Sequence, residues 1–116
     1  MKQFLAIFLG TQEGFEKYKA LEEQMRKEND KKGMEAWMKW AQAHMSAIVN
    51  PGSPLGKTKK VSKSGIEDIR NELGAWMVVQ AESAEEAAKL FEGHPHFTVF
   101  PGERVEVIEC LPMPEM

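Results

Sequence analysis

The feature that most constrains the fold is a short apolar run near the amino terminus. Residues 4–9 read Phe-Leu-Ala-Ile-Phe-Leu, and Gly10 follows them. An apolar run that stops at a glycine is typical of a strand with both faces covered, inside a sheet rather than at its edge. The run is shorter than the ~7–15 residues of a secretory signal core and the ~20 of a membrane helix. We therefore predict an unprocessed, cytoplasmic protein with a buried central strand.

After this strand the sequence predicts two helical segments, each with apolar residues along one face. Thr11 is a plausible helix cap, and residues 29–33 interrupt the pattern as a kink or short break. The second helix should end near Val49, because residues 50–54, which read Asn-Pro-Gly-Ser-Pro, indicate a turn. The apolar positions of the two stripes recur every three or four residues and are Phe15, Tyr18, Leu21 and Met25, then Met34, Trp37, Met38, Ala41, Met45 and Ile48.

The second half of the chain predicts strands around one further helix. Residues 55–69 indicate a strand or irregular hairpin, and residues 75–81 a clear strand. Ser83 and Glu86 form a capping-box pattern that begins a helix ending at Gly93. Residues 104–111 alternate as a last strand.

This order of elements predicts an α+β fold, a ferredoxin-like sandwich with an antiparallel sheet and an extended first helical region. One domain covers residues 1–116, since folded units usually have about 100–150 residues. Helices on one face leave the other face of the sheet apolar and open. A second copy of the chain is the simplest cover for that face, so we predict a homodimer.

Composition excludes several classes of protein. The net charge is −3, so nucleic acid and membrane surfaces are not expected partners. Cys110 is the single cysteine and cannot form an internal disulfide, which suits a reducing compartment. No phosphate loop, nucleophile elbow or metal quartet is present, and we predict no cofactor and no metal.

The local motif that most strongly indicates a functional site is His94-Pro95-His96. Proline favours an extended His94, which would let both imidazoles share one side. Such a pair could bind a metal, relay a proton or line a pocket. Alternatively, the segment merely ends a helix, where a protonated histidine is favourable.

A second candidate is the long helix, where Trp37, Trp40 and His44 recur at spacings of three and four. They could form an aromatic wall for a planar ligand, with His44 as acid or base. The alternative is ordinary packing of the helix on its sheet, with Trp37 in the core.

Other polar residues carry weaker signals. The lysines at 57, 59, 60 and 63 could bind an anion, but we interpret them as a protected strand edge. We expect Cys110 to be a buried, inert thiol. Glu106 and Glu109 face opposite ways on the last strand, so at most one points inward.

With these motifs, the chain resembles the YCII-related family, in its DGPF-like branch. The resemblance covers most of the chain after about Gly33. It is carried by Val-Asn-Pro-Gly-Ser-Pro-Leu-Gly at 49–56, Gly-Ala-Trp-Met-Val-Val-Gln-Ala-Glu-Ser at 74–83, Ala-Glu-Glu-Ala-Ala-Lys-Leu at 84–90, Gly-His-Pro-His at 93–96 and Val-Glu-Val-Ile-Glu at 105–109.

The resemblance implies a ferredoxin-like fold that forms a dimeric α+β barrel. Most members lack an assigned activity, and a few relatives act on small aromatic or chlorinated ring compounds. The suspected polar pair of the family is a histidine on the first long helix and an aspartate before a proline. Here His94 stands in the place of that aspartate, and His44 is the only histidine on the long helix.

Two classes of function remain open from the sequence. The first is a small-molecule pocket in a homodimeric barrel, where His94 and His44 exchange a proton with a ring-like substrate. The residues expected to hold that substrate are Trp37, Trp40, Trp76 and His96. The second class is a non-catalytic dimer that binds or regulates a partner protein.

Overall fold

A computed structural model describes residues 1–114; Glu115 and Met116, the end of the predicted domain, lie outside the described residues. The elements in chain order are β1 (Lys2–Leu9), α1 (Gln12–Lys19), α2 (Glu23–Ala43), β2 (Ile48–Pro54), β3 (Thr58–Ser62), β4 (Gly65–Ile69), β5 (Leu73–Ala81), α3 (Ala84–Lys89), α4 (Pro95–Thr98) and β6 (Arg104–Glu109). None of the helices among these residues is long and apolar enough to cross a membrane.

The main sheet has four antiparallel strands in the order β2-β5-β1-β6. With the separate β3-β4 hairpin set aside, this is the strand order of a ferredoxin-like α+β sandwich, so the predicted fold class is confirmed. β1 lies between β5 and β6, as its apolar run predicts. Of the two alternatives predicted for residues 55–69, a strand or an irregular hairpin, the structure shows a hairpin.

The core lies on the face of the sheet that the helices cover. Phe4, Ala6 and Phe8 alternate along β1 and point to this face, where Met77 and Val79 of β5 join them. Trp37 and Trp40 of α2 and Ala87 and Phe91 of the α3 region pack against these strand residues. Every residue of the run is apolar, but only alternate residues of β1 point to the core face, because successive side chains of a strand point to opposite sides of the sheet.

The opposite face of the main sheet carries a contiguous apolar patch, with Glu106 beside Ile7 at its β6 side, and has no covering element in the described residues. We call it the open face. Cross-strand pairing places half-buried side chains from β1 and β5 there, beside the half-exposed Ile108 of β6. Its apolar members are Leu5, Ile7, Trp76, Val78 and Ile108.

Two predictions for this region are wrong: α2 ends at Ala43, with His44 as its C-cap, rather than near Val49, and residues 50–54 belong to β2 rather than to a turn. β2 is an edge strand with register shifts between Ile48 and Asn50 and between Asn50 and Ser53. An edge strand tolerates proline, since one side of its backbone needs no ladder partner. Gly52 has a φ of 66°, and a Cβ there would lie 1.8 Å from the Trp76 carbonyl oxygen. Glycine thus permits close approach of β2 to β5.

The predicted break at residues 29–33 is also wrong. α2 runs unbroken through it, and the chain bends before it, between α1 and α2. Gly33 is buried because the Phe100 ring packs against it, and a Cβ at Gly33 would lie 2.3 Å from Phe100 Cζ. The glycine therefore serves helix packing rather than a helix break.

We expect Gly33→Ala to lower the free energy of unfolding by about 1 kcal/mol. Overpacking against Phe100 costs roughly 1–3 kcal/mol, and the better helix propensity of alanine offsets up to about 1 kcal/mol. Denaturant unfolding measures the change. The exposed neighbour Lys32→Ala is the control, expected within about 0.5 kcal/mol of wild type. A more stable Gly33→Ala variant would contradict the packing role.

Candidate functional site

The candidate site is built around His94, whose side chain is fully buried. Pro95 holds His94 in an extended conformation, as predicted, with φ −62° and ψ 143°. This conformation makes His94 the N-cap residue of α4, and its Nδ1 accepts the backbone N–H of His96 at 2.9 Å. Since Nδ1 accepts, the proton of the neutral ring is on Nε2. The cap therefore fixes both the orientation and the tautomer.

Aromatic rings surround His94. Its ring centroid lies 4.4 Å from that of Trp37 and 4.5 Å from that of Trp40, both in edge-to-face geometry. Phe8 and Phe91 lie at 5.1 Å and 5.9 Å. We call these four rings the aromatic box. His94 Nε2 is buried and has no hydrogen-bond partner among the described residues.

The electrostatics of this site keep His94 neutral. Burial lowers its pKa to about 3, and the nearby His96 and His44 add to the decrease. An apolar box cannot solvate an imidazolium, so the charged form is disfavoured. At neutral pH the ring is thus a hydrogen-bond donor through Nε2–H and a very weak base.

The structure places His96 between α4 and β1. It lies inside α4, nearly buried, and its Nε2–H donates to the Leu9 carbonyl at 2.8 Å. Burial lowers its pKa, opposed by hydrogen bonds to the Leu9 and Arg104 backbone. A Cβ on Gly102 would overlap its ring, so that glycine is required for the close packing. His96 thus ties α4 to β1 and presents its backbone N–H to His94.

α2 brings Trp40 and His44 to the outer side of the aromatic box. Trp40 Nε1–H donates to the Leu90 carbonyl at 2.8 Å, which orients the indole. The ring centroids of Trp40 and His44 are 5.0 Å apart, and both side chains are half-buried. Trp40 therefore contacts the imidazoles of both His94, which is buried, and His44, which is half-buried.

The structure does not bring the third tryptophan to this site. Trp76 pairs with Ile7 and lies on the open face, across the sheet from Trp37 and Trp40. The run Trp-Met-Val-Val in β5 hides its alternation, so the sequence could not assign the face. Phe8 belongs to the apolar run of residues 4–9, but no sequence pattern indicated that Phe8 and Phe91 would surround His94.

Other candidate residues lie outside the box. Glu106 Oε2 accepts a hydrogen bond from Arg104 Nε–H at 2.7 Å, and Glu109 Oε1 lies 3.9 Å from Lys2 Nζ. The prediction of a buried Cys110 is wrong, because it follows the end of β6 and is exposed. No cluster of three or more His, Cys, Asp or Glu suited to a metal ion occurs among residues 1–114.

Comparison with known proteins extends the fold assignment. The fold is similar to that of 5-chloro-2-hydroxyhydroquinone dehydrochlorinase (TftG) from Burkholderia phenoliruptrix AC1100, solved in complex with 2,5-dihydroxybenzoquinone. The TM-score is 0.53 at 18% sequence identity, over 90% of this chain and 89% of that one. No protein-family model matches the chain, and no curated protein matches it.

Proposed function

We propose that the chain binds a small, oxygen-bearing ring compound at His94 and performs acid–base chemistry on it. The observation that carries this proposal is the buried Nε2–H of His94, which has no partner among the described residues. An unsatisfied buried donor costs about 1–3 kcal/mol, which a ligand acceptor would recover. A buried donor without a partner needs an explanation in a native fold, and a ligand acceptor supplies one.

The proposed role of His94 follows from its neutral state. A neutral imidazole with a fixed Nε2–H stabilises negative charge that develops on a substrate oxygen. With its pKa lowered to about 3, His94 is unsuited to be the base that accepts a proton from the substrate. This refines the predicted exchange of protons by both histidines: His94 donates a hydrogen bond, and His44 transfers the proton.

His44 and the two tryptophans complete the proposed site. Histidine is the side chain best suited to proton exchange near neutral pH, and His44 is half-buried at the outer side of Trp40. Trp37 and Trp40 would contact the faces or edges of a planar ligand. Because His94 is fully covered, side chains that cover it must move before a ligand contacts Nε2.

The structural neighbour supports the chemical class of ligand. TftG is a dehydrochlorinase of a hydroxylated, chlorinated ring, and its bound molecule is a dihydroxybenzoquinone. Such rings are planar and carry oxygens that can be negatively charged. Planarity suits the aromatic box, and the oxygens suit a fixed N–H donor.

We further propose a homodimer and membership in the YCII-related family. The support for the dimer is the open face, whose contiguous apolar residues would otherwise contact water. A two-fold axis would place Trp76 and Val78 against their counterparts and form a dimeric α+β barrel. The motifs at 74–90 and 93–96 support the family.

Titration with 2,5-dihydroxybenzoquinone, followed by tryptophan fluorescence, tests the proposal. We expect saturable quenching with one ligand per chain, because Trp37 and Trp40 adjoin His94. Trp76→Phe is the matched control and should retain the quenching and the affinity. Loss of binding in Trp76→Phe would instead place the ligand on the open face and contradict the site.

A non-catalytic binding module is the second candidate, and the complete burial of His94 favours it. Under that reading the Nε2–H donates weakly to an aromatic face of the box. Absence of any binding of dihydroxybenzoquinone or related hydroxylated rings would favour this candidate.

A further inference from the structure

The β3-β4 hairpin and its flanking residues, 55–71, project from the domain and are called the arm here. Asn71 fixes its base, donating to Thr58 Oγ1 at 3.1 Å and accepting the Leu73 N–H at 3.0 Å. Cross-strand ion pairs, Lys59–Asp68 at 2.5 Å and Lys60–Glu67 at 2.7 Å, connect its two strands. The strands pair with each other and form no part of the main sheet.

The tip of the arm carries an exposed apolar pair. Val61 and Ile66 face each other across the two strands, and they are 76% and 74% exposed. An isolated two-stranded hairpin is at best marginally stable in water, and exposed ion pairs contribute little. The arm therefore lacks the packing that a stable hairpin needs within the described residues.

Charge indicates what the arm packs against. Residues 55–71 contain five basic and two acidic side chains and so carry a net charge of +3. Since the whole chain carries −3, the other residues together carry −6. The arm is thus complementary in charge to the body of a second copy of the same chain.

The overall dimensions also indicate half of a larger assembly. The radius of gyration is 16.2 Å, whereas a compact domain of this length has about 13 Å. The extents are 54 × 44 × 18 Å, so the described chain is a thin slab. A slab with an apolar face and a projecting arm becomes compact when two copies associate.

We propose that the arm packs against a second copy of this chain and buries its Val61–Ile66 pair there. This inference rests on the proposed homodimer and deepens it, because it adds the arm to the open face as a second contact region. In a two-fold dimer each arm contact occurs twice, once from each copy. The basic side chains of the arm would then lie near the acidic body of the partner.

Sedimentation velocity on the full chain tests this interface. The double variant Val61→Thr with Ile66→Thr keeps β-branched strand residues but removes apolar contact. We expect it to raise the dimer Kd at least ~100-fold, since four apolar contacts are lost per dimer. The control Lys60→Thr with Glu67→Thr alters the neighbouring cross-strand pair on the other hairpin face without a net change of charge. It should change Kd less than about fivefold, and higher salt should weaken the wild-type dimer.

A matched variant of the open face separates this inference from the proposed dimer. Leu5→Thr with Val78→Thr alters a cross-strand pair of that face in the same way. If this variant dissociates the dimer while the Val61 and Ile66 variant does not, the arm inference is overturned and the proposed dimer remains. A monomeric wild type overturns the arm inference too. Ligand binding at His94 is measured separately and would survive either result.

Discussion

Acidification from pH 7 to pH 5 is expected to lower the free energy of unfolding by about 2 kcal/mol through His94 alone. The folded state holds this ring neutral, with its pKa lowered to about 3. The unfolded chain binds a proton at His94 below about pH 6.5, so acid favours unfolding. The loss should continue at roughly 1.4 kcal/mol per pH unit until about pH 3. The lowered pKa of His96 adds an effect of the same sign.

Denaturant unfolding at several pH values between 7 and 4.5 measures this effect. His94→Asn is the comparison, because asparagine can still cap α4 but does not titrate. For each protein the free energy of unfolding is plotted against pH. The difference between the two slopes gives the contribution of His94, separate from that of every other titrating group. Parallel slopes for wild type and His94→Asn would show that His94 is not held neutral by the fold.

Substitution of His94 by asparagine is expected to weaken binding of 2,5-dihydroxybenzoquinone on the order of 100-fold. The Asn side-chain oxygen can replace Nδ1 as the cap acceptor for the His96 N–H, but nothing replaces Nε2–H. Loss of a hydrogen bond to a charged ligand group costs about 1.5–3 kcal/mol, which matches that change in Kd.

His94→Gln is the matched control for this prediction. Its terminal amide nitrogen reaches about as far as Nε2 and can donate, whereas its oxygen is poorly placed for the cap. We expect His94→Gln to be less stable than His94→Asn but to lose less than about tenfold in affinity. Equal losses in both variants would assign to His94 a packing role only.

The alternation and capping signals in the sequence predicted much of the fold. Thr11 and Ser83 cap α1 and α3 through their hydroxyls, as their positions indicated. β2 was missed because its prolines and Gly52 are turn residues by local rules. Its place depends instead on Gly52 fitting against Trp76, a contact that no local pattern encodes.

The site was predictable only in part. Helical spacing placed Trp37 and Trp40 together, and Pro95 predicted an extended His94. Their meeting with Phe8 joins residues far apart in the chain, and periodicity carries no information about such contacts. The packing of Phe100 against Gly33 is another such contact between residues far apart in the chain.

The most direct test of the proposed site is nitrogen NMR of the His94 imidazole, with and without dihydroxybenzoquinone. In the free protein we expect a protonated Nε2 and an unprotonated Nδ1 that remain so at pH 5. Addition of ligand should shift the Nε2 resonance and leave Nδ1, which accepts from His96, nearly unchanged. A ligand that binds without shifting the Nε2 resonance, or a ring already doubly protonated at pH 5, would contradict the proposed role of His94.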